Sequence, residues 1–450
     1  MHTFRLELSP RWRLTPPQVL VTGFAAVILT GTFLLTLPVA SVSHKPTAFI
    51  DALFTATSAV CVTGLVVVDT GTYWSRFGHI VLLGLIQIGG LGFMTLSTLA
   101  SILFGRRIML HQRLVIQEAL NCVSLEGVVR LTKAILKFTV IVEAVGASFL
   151  SWRWWQQYSP GEAFFQGVFH SVSAFCNAGF DIKGDFLSLT TYRGDIVVNL
   201  VITSLIILGG LGFAVIVELL NWPHADKVSL HTHLVIKTTL LLTMLGMVFI
   251  LIVESNNPAT LALAPWKERL LASYFQAVTP RTAGFNTLPL ESLRPATLFF
   301  LTLLMFVGAS PGGTGGGIKT TTFVILIMSI TNTIQGKSRI EIRERSIPSR
   351  LVLKSMAITL LSAFLVVTIT LILLLSDGAD FLTTLFETIS AFGTVGLSIA
   401  FTPKLSVLGR FIIASLMFTG RVGPLTLAVA IAQRQKQNHI NYPEESIVVG

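Results

Sequence analysis

The sequence predicts an all-α polytopic membrane protein that contains four similar repeats. Only 12% of its 450 residues are charged and 52% are hydrophobic, whereas about a quarter of the residues in a soluble domain are charged. Eight apolar segments are long enough to cross a bilayer, and a shorter segment with one aligned glycine stands inside each pair. The composition therefore excludes a soluble globular protein and a disordered chain.

Each of the eight apolar segments reaches the roughly 20 residues that a spanning helix needs. They lie at about 17–39, 77–104, 129–151, 195–221, 232–253, 296–334, 351–375 and 405–432. The first follows Arg5, Arg11 and Arg13, and it is longer than the apolar core of a signal peptide, so we expect an uncleaved first helix. Segment 296–334 contains a glycine-rich run that should interrupt its helix, because each glycine weakens a helix.

Four moderately apolar stretches of about a dozen residues lie between the paired spans, and each is too short to cross. They are Ala48–Ala59, Ala163–Ala174, Trp266–Thr279 and Ala379–Ala391. A short helix followed by irregular backbone is typical of a re-entrant loop. Such backbone is tolerated inside a membrane only where it lines a water-filled path or is buried in protein.

The segments that follow the short stretches reveal an internal repeat. They read SAVCVTGL at 58–65, SAFCNAGF at 173–180, VTPRTAGF at 278–285 and SAFGTVGL at 390–397. A second motif follows each one: GGLGF at 89–93, GGLGF at 209–213, PGGTGGG at 311–317 and GRVGP at 420–424. Repetition on this scale decides the architecture. We expect four repeats, namely 1–104 with an N-terminal cytoplasmic segment, 105–221, 222–334 with a broken last helix, and 335–450 with a C-terminal tail.

Four such glycine segments around one axis can form a filter for cations. Carbonyl oxygens can replace the hydration shell of an ion, glycine permits backbone angles that aim carbonyls inward, and the C-terminal end of a short helix favours positive charge. The sequence therefore predicts four span–pore helix–filter–span repeats, arranged pseudo-four-fold around one central pore. The candidate filter residues are Val62, Thr63, Gly64, Asn177, Ala178, Gly179, Thr282, Ala283, Gly284, Thr394, Val395 and Gly396. The alternative, glycines that only pack helices in ordinary loops, does not explain why every copy follows a helix too short to span.

The glycine-rich run of the third repeat is not expected to bind a nucleotide. A Walker motif has its lysine directly after the last glycine, but Ile318 stands between them here. We expect instead a mobile loop at membrane depth, 308–320, that can obstruct the path below the filter. Its candidate gate residues are Gly312, Gly313, Thr314, Gly315, Gly316, Gly317 and Lys319.

Arg421 lies in the last apolar run, where a charge is costly and usually functional. We expect it to form a cation barrier under the filter, beside the glycine-rich loop. Two alternatives stay open: an ion pair with a carboxylate such as Glu143, and a side chain that snorkels to the membrane surface.

Two further groups of residues allow more than one interpretation. Asp69, Asp181 and Asp380 lie near the expected outer mouth, where they either raise the local cation concentration or are ordinary solvated loop charges. Cys61 and Cys176 precede filter glycines by three residues, and we expect them to pack behind or beside the filter.

The combined motifs resemble the Trk/Ktr/HKT superfamily of potassium transporters, most closely the Ktr-type membrane subunit. The resemblance covers nearly the whole chain and rests on DALFTATSAVCVTGL, HSVSAFCNAGF, RTAGFN, TGGGIKT, FETISAFGTVGL, GRVGPLTLA and the ending from Tyr442 to Gly450. It implies uptake of K⁺ at the filter carbonyls, with or without a dependence on Na⁺. Gly64 implies potassium preference, since sodium-preferring plant relatives have serine there. The loop 308–320 and Arg421 match an intramembrane gate and an arginine of the family.

The resemblance also implies partners. The family's membrane subunit forms a homodimer with one pore in each protomer, under the control of a cytosolic ring of regulatory subunits with Rossmann-type domains. Nucleotide, ATP or ADP, is expected on that ring and no cofactor on this chain, which has no GxGxxG motif. The basic segments 106–113 and 337–354 are either docking surfaces for the ring or simply positive-inside residues.

The remaining expectations concern location and alternative function. Lys and Arg are more frequent on the side that carries both termini, so we expect a multi-pass protein of a bacterial plasma (inner) membrane with cytoplasmic N- and C-termini. An enzyme is not expected, because the spans contain no carboxylate pair or histidine cluster, and neither is binding to nucleic acid. The alternative function is coupled secondary transport of another small solute or cation, which predicts two related halves and one central site.

Overall fold

The computed structural model describes residues 15–92, 128–222, 228–337, 340–343 and 345–431. Within these ranges the chain is mostly helical, with little sheet, which confirms the all-α prediction. The helices are α1 (Pro16–Thr36), α2 (Phe49–Val60), α3 (Thr70–Tyr73), α4 (Arg76–Leu91), α5 (Val128–Trp154), α6 (Pro160–Phe175), α7 (Ile196–Gly210), α8 (Phe213–Asn221), α9 (Leu230–Glu254), α10 (Trp266–Val278), α11 (Pro295–Phe306), α12 (Thr320–Ile334), α13 (Ser349–Asp377), α14 (Phe381–Gly393), α15 (Val407–Val422) and α16 (Pro424–Ile431). The basic segment 106–113, the N-terminal arginines and the tail from Tyr442 lie outside the described residues.

Four helices, α1, α5, α9 and α13, are long and apolar enough to cross a membrane. Their ends follow local sequence signals. Pro16 stands in the first turn of α1, where its missing N–H costs nothing. The Ser229 side chain caps α9 by accepting a hydrogen bond from the Thr232 N–H at 3.2 Å. Gly378 adopts the left-handed conformation that ends α13.

The short helices α2, α6, α10 and α14 each pack on the long helix of their own repeat. Each also packs on a second helix from the neighbouring repeat: α6 on α4, α10 on α7, α14 on α11, and α2 on α15. Because the last of these contacts joins the fourth repeat to the first, the contacts close a ring. The two ends of the described chain also meet, since Gln18 Nε2 donates to the Ala430 carbonyl at 3.2 Å.

Ion pairs cross three of the four boundaries between neighbouring repeats. Arg76 pairs with Glu162 at 2.5 Å, Arg193 pairs with Glu268 at 3.1 Å, and Arg410 pairs with Asp51. Each joins the start of a second helix to the start of the next short helix. Among the described residues, no ion pair crosses the boundary from the third repeat to the fourth. The three ion pairs therefore connect neighbouring repeats at one rim of the ring, the rim at which the short helices begin.

Two of the eight expected spans are not continuous, which corrects the sequence prediction for 195–221 and 405–432. The first bends by 100° between α7 and α8, and the second by 95° between α15 and α16. The bends fall at Gly212 and Gly423, whose φ values are 95° and 94°. Such angles are accessible chiefly to glycine and cannot continue a helix. The third repeat breaks as predicted, between α11 and α12.

A short β-hairpin follows α12 and was not expected from the sequence. Strand β1 (Ile340–Ile342) pairs antiparallel with β2 (Arg345–Ile347), with Ile340 opposite Ile347. The isoleucines at 340 and 342 are buried and Glu341 between them is exposed, which is the alternation of a strand with one covered face. The hairpin belongs to the basic segment 337–354.

Candidate ion pathway

The four aligned glycines lie against one another in a closed ring. Their φ values are 89° at Gly64, 69° at Gly179, 81° at Gly284 and 91° at Gly396. An added Cβ would lie 2.4 Å from the Ala178 oxygen at position 64, 2.7 Å from the Ala283 oxygen at 179, 2.6 Å from the Val395 oxygen at 284, and 2.1 Å from the Thr63 oxygen at 396. Each glycine therefore abuts a carbonyl of the next segment, and no side chain fits at any of the four positions.

The backbone before each glycine has a common geometry. The residues two positions earlier, Val62, Asn177, Thr282 and Thr394, all have left-handed φ values between 50° and 63°. They and the four intervening residues are fully buried. Left-handed backbone is unusual for residues other than glycine, and it marks places where the surrounding structure imposes a conformation.

Hydrogen bonds from the short helices hold the backbone N–H groups of the ring. The N–H groups of Thr63, Ala178 and Val395 donate to the carbonyls of Ser58, Ser173 and Ser390, each at 2.8 Å. The Gly64 and Gly396 N–H groups donate to the Ser58 and Ser390 hydroxyls at 3.0 and 3.1 Å. The two ends of a trans peptide point in opposite directions. An N–H held by the short helix therefore turns the preceding carbonyl away from that helix, towards the ring.

The third segment differs in its anchor. Its sequence VTPRTAGF has no serine six residues before Gly284, and the Ala283 N–H donates to the Thr279 carbonyl at 3.0 Å instead. The Thr279 hydroxyl bonds to the Phe285 carbonyl. In the third segment, the hydroxyl that anchors the backbone is therefore five residues before the glycine, whereas the serine hydroxyls of the other segments are six residues before theirs. The anchoring role of these hydroxyls was not predicted, although three of the aligned segments begin with a serine.

A cavity of about 550 Å³ opens on one side of the ring and contacts all four glycines. Its lining includes Asp69, Asp181, Asp185 and Glu291. Asp69 also stabilises the local backbone, since it accepts hydrogen bonds from the N–H groups of Thr72 at 2.8 Å and Phe186 at 2.7 Å. Its charge lies at the cavity as expected, but much of its hydrogen-bonding capacity serves the loop.

Asp181 and Asp380 have different surroundings. Burial raises the pKa of the Asp181 carboxyl to about 6, and its Oδ1 accepts a hydrogen bond from the Lys183 N–H at 3.0 Å. Asp380 does not line the cavity. It caps α14 by accepting from the N–H of Leu382 at 3.0 Å, which corrects its expected place at the mouth.

Lys183 lies among aromatic rings beside this cavity. Its Nζ is 3.7 Å from the ring centroid of Trp154, 4.8 Å from that of Tyr158 and 5.0 Å from that of Tyr192. A lysine ammonium is attracted to the faces of such rings, and burial lowers its pKa to about 8. The arrangement gives the Lys183 side chain aromatic partners in place of the cavity's carboxylates.

The glycine-rich loop lies directly on the other side of the ring. The Gly316 N–H donates to the Thr394 hydroxyl at 3.0 Å, and the Thr314 hydroxyl donates to the Phe175 carbonyl at 3.3 Å. An added Cβ at Gly315 would overlap the Thr282 hydroxyl. The loop therefore contacts the second, third and fourth of the aligned glycine segments.

Arg421 connects this loop to the first repeat. One guanidinium nitrogen donates to the Thr314 carbonyl and the other to the carbonyls of Gly89 and Gly90. Glu143 accepts instead from Gln87 Nε2 at 3.3 Å, so the alternative of an Arg421–Glu143 ion pair is wrong in this structure. Snorkelling is also wrong, because the guanidinium faces the loop.

Lys319 and the two filter cysteines complete the surroundings of the ring. Lys319 Nζ donates to the Gly315 carbonyl at 2.7 Å, within the loop itself. A second cavity, of about 300 Å³, lies beyond the loop and is lined by Gly313, Lys319 and Arg421 among others. Cys61 and Cys176 are free and buried, as expected for packing residues. The first cavity borders the glycine ring, the loop with Arg421 lies on the other side of the ring, and the second cavity lies beyond the loop.

Comparisons with known proteins identify the family of this chain. A family model described as TrkH, cation transport protein, matches residues 10–441. The chain belongs to the TrkH family of cation transport proteins. The sequence-based recognition of the superfamily is thereby confirmed, and so is the expectation of a transporter rather than an enzyme.

Three relatives illustrate how far the similarity extends. The Ktr system potassium uptake protein B of Bacillus subtilis is 45% identical over 449 residues, which is 100% of both chains. The potassium/sodium uptake protein NtpJ of Enterococcus hirae is 39% identical over 98% of each chain. The crystal structure of the potassium transporter TrkH from Vibrio parahaemolyticus has a TM-score of 0.72 and 17% identity. It covers 96% of this cation transport protein and 87% of that chain, which shows a shared fold.

Proposed function

We propose that this protein takes up potassium ions across a bacterial plasma membrane, through the ring formed by its four filter segments. The observation that carries the proposal is the closed arrangement of Gly64, Gly179, Gly284 and Gly396, each against a carbonyl of its neighbour. Such carbonyls can replace water around a dehydrated cation. Potassium as the ion is supported by relatives that are named for potassium uptake.

The loop and Arg421 form the closed gate of this path in the proposal. The loop lies between the ring and the second cavity, and a guanidinium in the path repels a cation. Opening requires Arg421 to release the Thr314 carbonyl, the loop to move away from Thr394, or both. The four repeats, 1–104, 105–221, 222–334 and 335–450, then act as four quarters of one pore.

Partners follow from the family resemblance and are part of the same proposal. We expect a homodimer with cytoplasmic termini, regulated by a cytosolic Rossmann-type ring that carries ATP or ADP. The hairpin at 340–347 lies in the basic segment proposed to meet the ring. Sodium is a second candidate for transport or activation, since one relative is named for potassium and sodium uptake.

The decisive experiment measures K⁺ and Na⁺ uptake by purified protein in liposomes. Gly64→Ser places a side chain where a Cβ alone would approach the Ala178 carbonyl to 2.4 Å. We expect a lower K⁺ flux and a lower K⁺/Na⁺ ratio, because the ring can no longer keep its spacing. Gly84→Ser is the matched control, since nothing lies within 4 Å of a Cβ there.

An unchanged K⁺/Na⁺ ratio in folded Gly64→Ser protein would contradict the filter assignment. A flux that requires an opposing gradient of a second solute would favour the alternative of coupled secondary transport. Dependence on the membrane potential alone would support the proposed path.

A further inference from the structure

Arg281 is a buried charge within the third filter segment. It stands three residues before Gly284 and is only 7% exposed. Among the described residues, no carboxylate forms an ion pair with it, and its side chain makes no hydrogen bond that would compensate its charge. Its Nη1 atom is fully buried without a partner. An arginine in a protein does not lose its proton at physiological pH, so the third glycine segment itself carries a full, buried positive charge.

The other three segments have small neutral residues at this position. Cys61, Cys176 and Gly393 occupy it, each three residues before its glycine. The space there is narrow in two of them: the Cys176 sulfur would lie 2.5 Å from a Cβ at Gly90, and a Cβ at Gly393 would lie 2.7 Å from the Met305 carbonyl. The charge therefore belongs to one quarter of the ring only.

Packing alone does not explain such a residue. A buried charge with no partner destabilises a protein, and an apolar side chain of similar volume would avoid that cost. Charged residues kept inside a membrane protein generally mark a function. Three residues of chain span at most about 11 Å, so the backbone of Arg281 lies within that reach of the Gly284 ring position.

We propose that Arg281 sets the affinity of the filter for K⁺. This inference rests on the proposed function of the ring. The fixed charge of Arg281 repels the cation bound at the neighbouring carbonyls, so it weakens binding and speeds release. The effect acts on the ion without contact, and it distinguishes the third segment from the other three. Arg281 thus favours turnover over tight occupancy.

The test separates affinity from turnover. Arg281→Met and Arg281→Gln remove the charge with little change in length, while Arg281→Lys retains it. A unit charge about 10 Å away, at an effective dielectric constant of about 20, shifts cation binding by about tenfold. We expect KM for K⁺ uptake to fall by about that factor in the Met and Gln variants and kcat to fall with it. Arg281→Lys should stay near the wild-type values.

Lys267→Gln is the matched control, because it removes a unit charge from the exposed start of the preceding helix, α10. Its KM should not change. A second measurement follows K⁺-dependent thermal stabilisation of the detergent-purified protein, which reports K⁺ affinity without transport. The half-saturating K⁺ concentration should fall about tenfold in the Met and Gln variants.

The outcomes distinguish this inference from the proposed function. A KM and a half-saturating concentration equal to wild type in folded Arg281→Met or Arg281→Gln protein would overturn the role of Arg281, even where wild-type protein transports K⁺. An increase in either quantity would overturn it too. Wild-type protein that shows neither K⁺ flux nor K⁺-dependent stabilisation would instead refute the filter itself.

Discussion

Replacing Arg421 by methionine removes the guanidinium that joins the glycine-rich loop to the first repeat, but keeps an unbranched side chain on α15. In the closed arrangement, Nη1 donates to the Thr314 carbonyl and Nη2 to the Gly89 carbonyl. Only the bond to Thr314 must break when the loop moves away. A hydrogen bond from a charged group contributes about 1.5–3 kcal/mol. Since each 1.4 kcal/mol is about a tenfold change, the open fraction should rise by about 10- to 100-fold.

The assay is Rb⁺ uptake into liposomes that contain this protein alone, driven by an outward K⁺ gradient. Arg421→Met should raise the initial rate, and loss of the positive charge from the path acts in the same direction. Arg421→Lys keeps the charge and should raise the rate less. Ser415→Ala, on the exposed face of the same helix, serves as the control. A rate for Arg421→Met within twofold of wild type, in protein of unchanged thermal stability, would refute the gate.

Two further predictions concern the ion pairs at the rim and the cavity of about 550 Å³ that Asp181 lines. Asp51→Asn breaks the ion pair with Arg410, in which both side chains are about one-fifth exposed. The free energy of unfolding should fall by about 1–2 kcal/mol, a value between those of exposed and buried pairs. In thermal unfolding, the double variant with Arg410→Gln should lose less stability than the sum of the two single variants, and strict additivity would show that the pair contributes nothing. Uptake at low external K⁺ should decline as external pH falls through about 6. Burial raises the pKa of the Asp181 carboxyl to about 6, so the carboxylate takes up a proton in this range and stops attracting cations. Asp181→Asn should lose this pH dependence, and a pH profile identical to that of the wild type would exclude Asp181 as its origin.

The sequence alone was sufficient for the helical architecture and for the positions that meet in the ring. The four ring glycines stand 105 to 115 residues apart: Gly64, Gly179, Gly284 and Gly396. Aligning the four repeats of this chain with one another identifies them, because only glycine tolerates their backbone angles beside a neighbouring carbonyl. The short helices were also visible, since a dozen apolar residues cannot span a bilayer.

The contacts between repeats were not predictable in the same way. Arg421 was expected beside the loop, with an ion pair to a carboxylate and snorkelling as alternatives, but its carbonyl acceptors could not be predicted because a carbonyl acceptor has no sequence signal. The pair of Arg410 and Asp51 joins residues 359 positions apart, and only the closed ring brings them together. The bends at Gly212 and Gly423 were not predicted. The apolar composition of a segment indicates that it lies in lipid, but it does not indicate the direction in which its helix runs.

The meeting of the two ends of the described residues has a consequence for how this architecture can be rearranged. The fourth repeat packs on the first as the other repeats pack on their successors, and Gln18 reaches the Ala430 carbonyl. The ring of contacts therefore has no physical beginning. A circularly permuted chain, with the present ends joined and new termini between the second and third repeats, would retain every contact between quarters. Each repeat can meanwhile acquire its own substitutions, so one substitution alters a single segment of the glycine ring instead of all four at once.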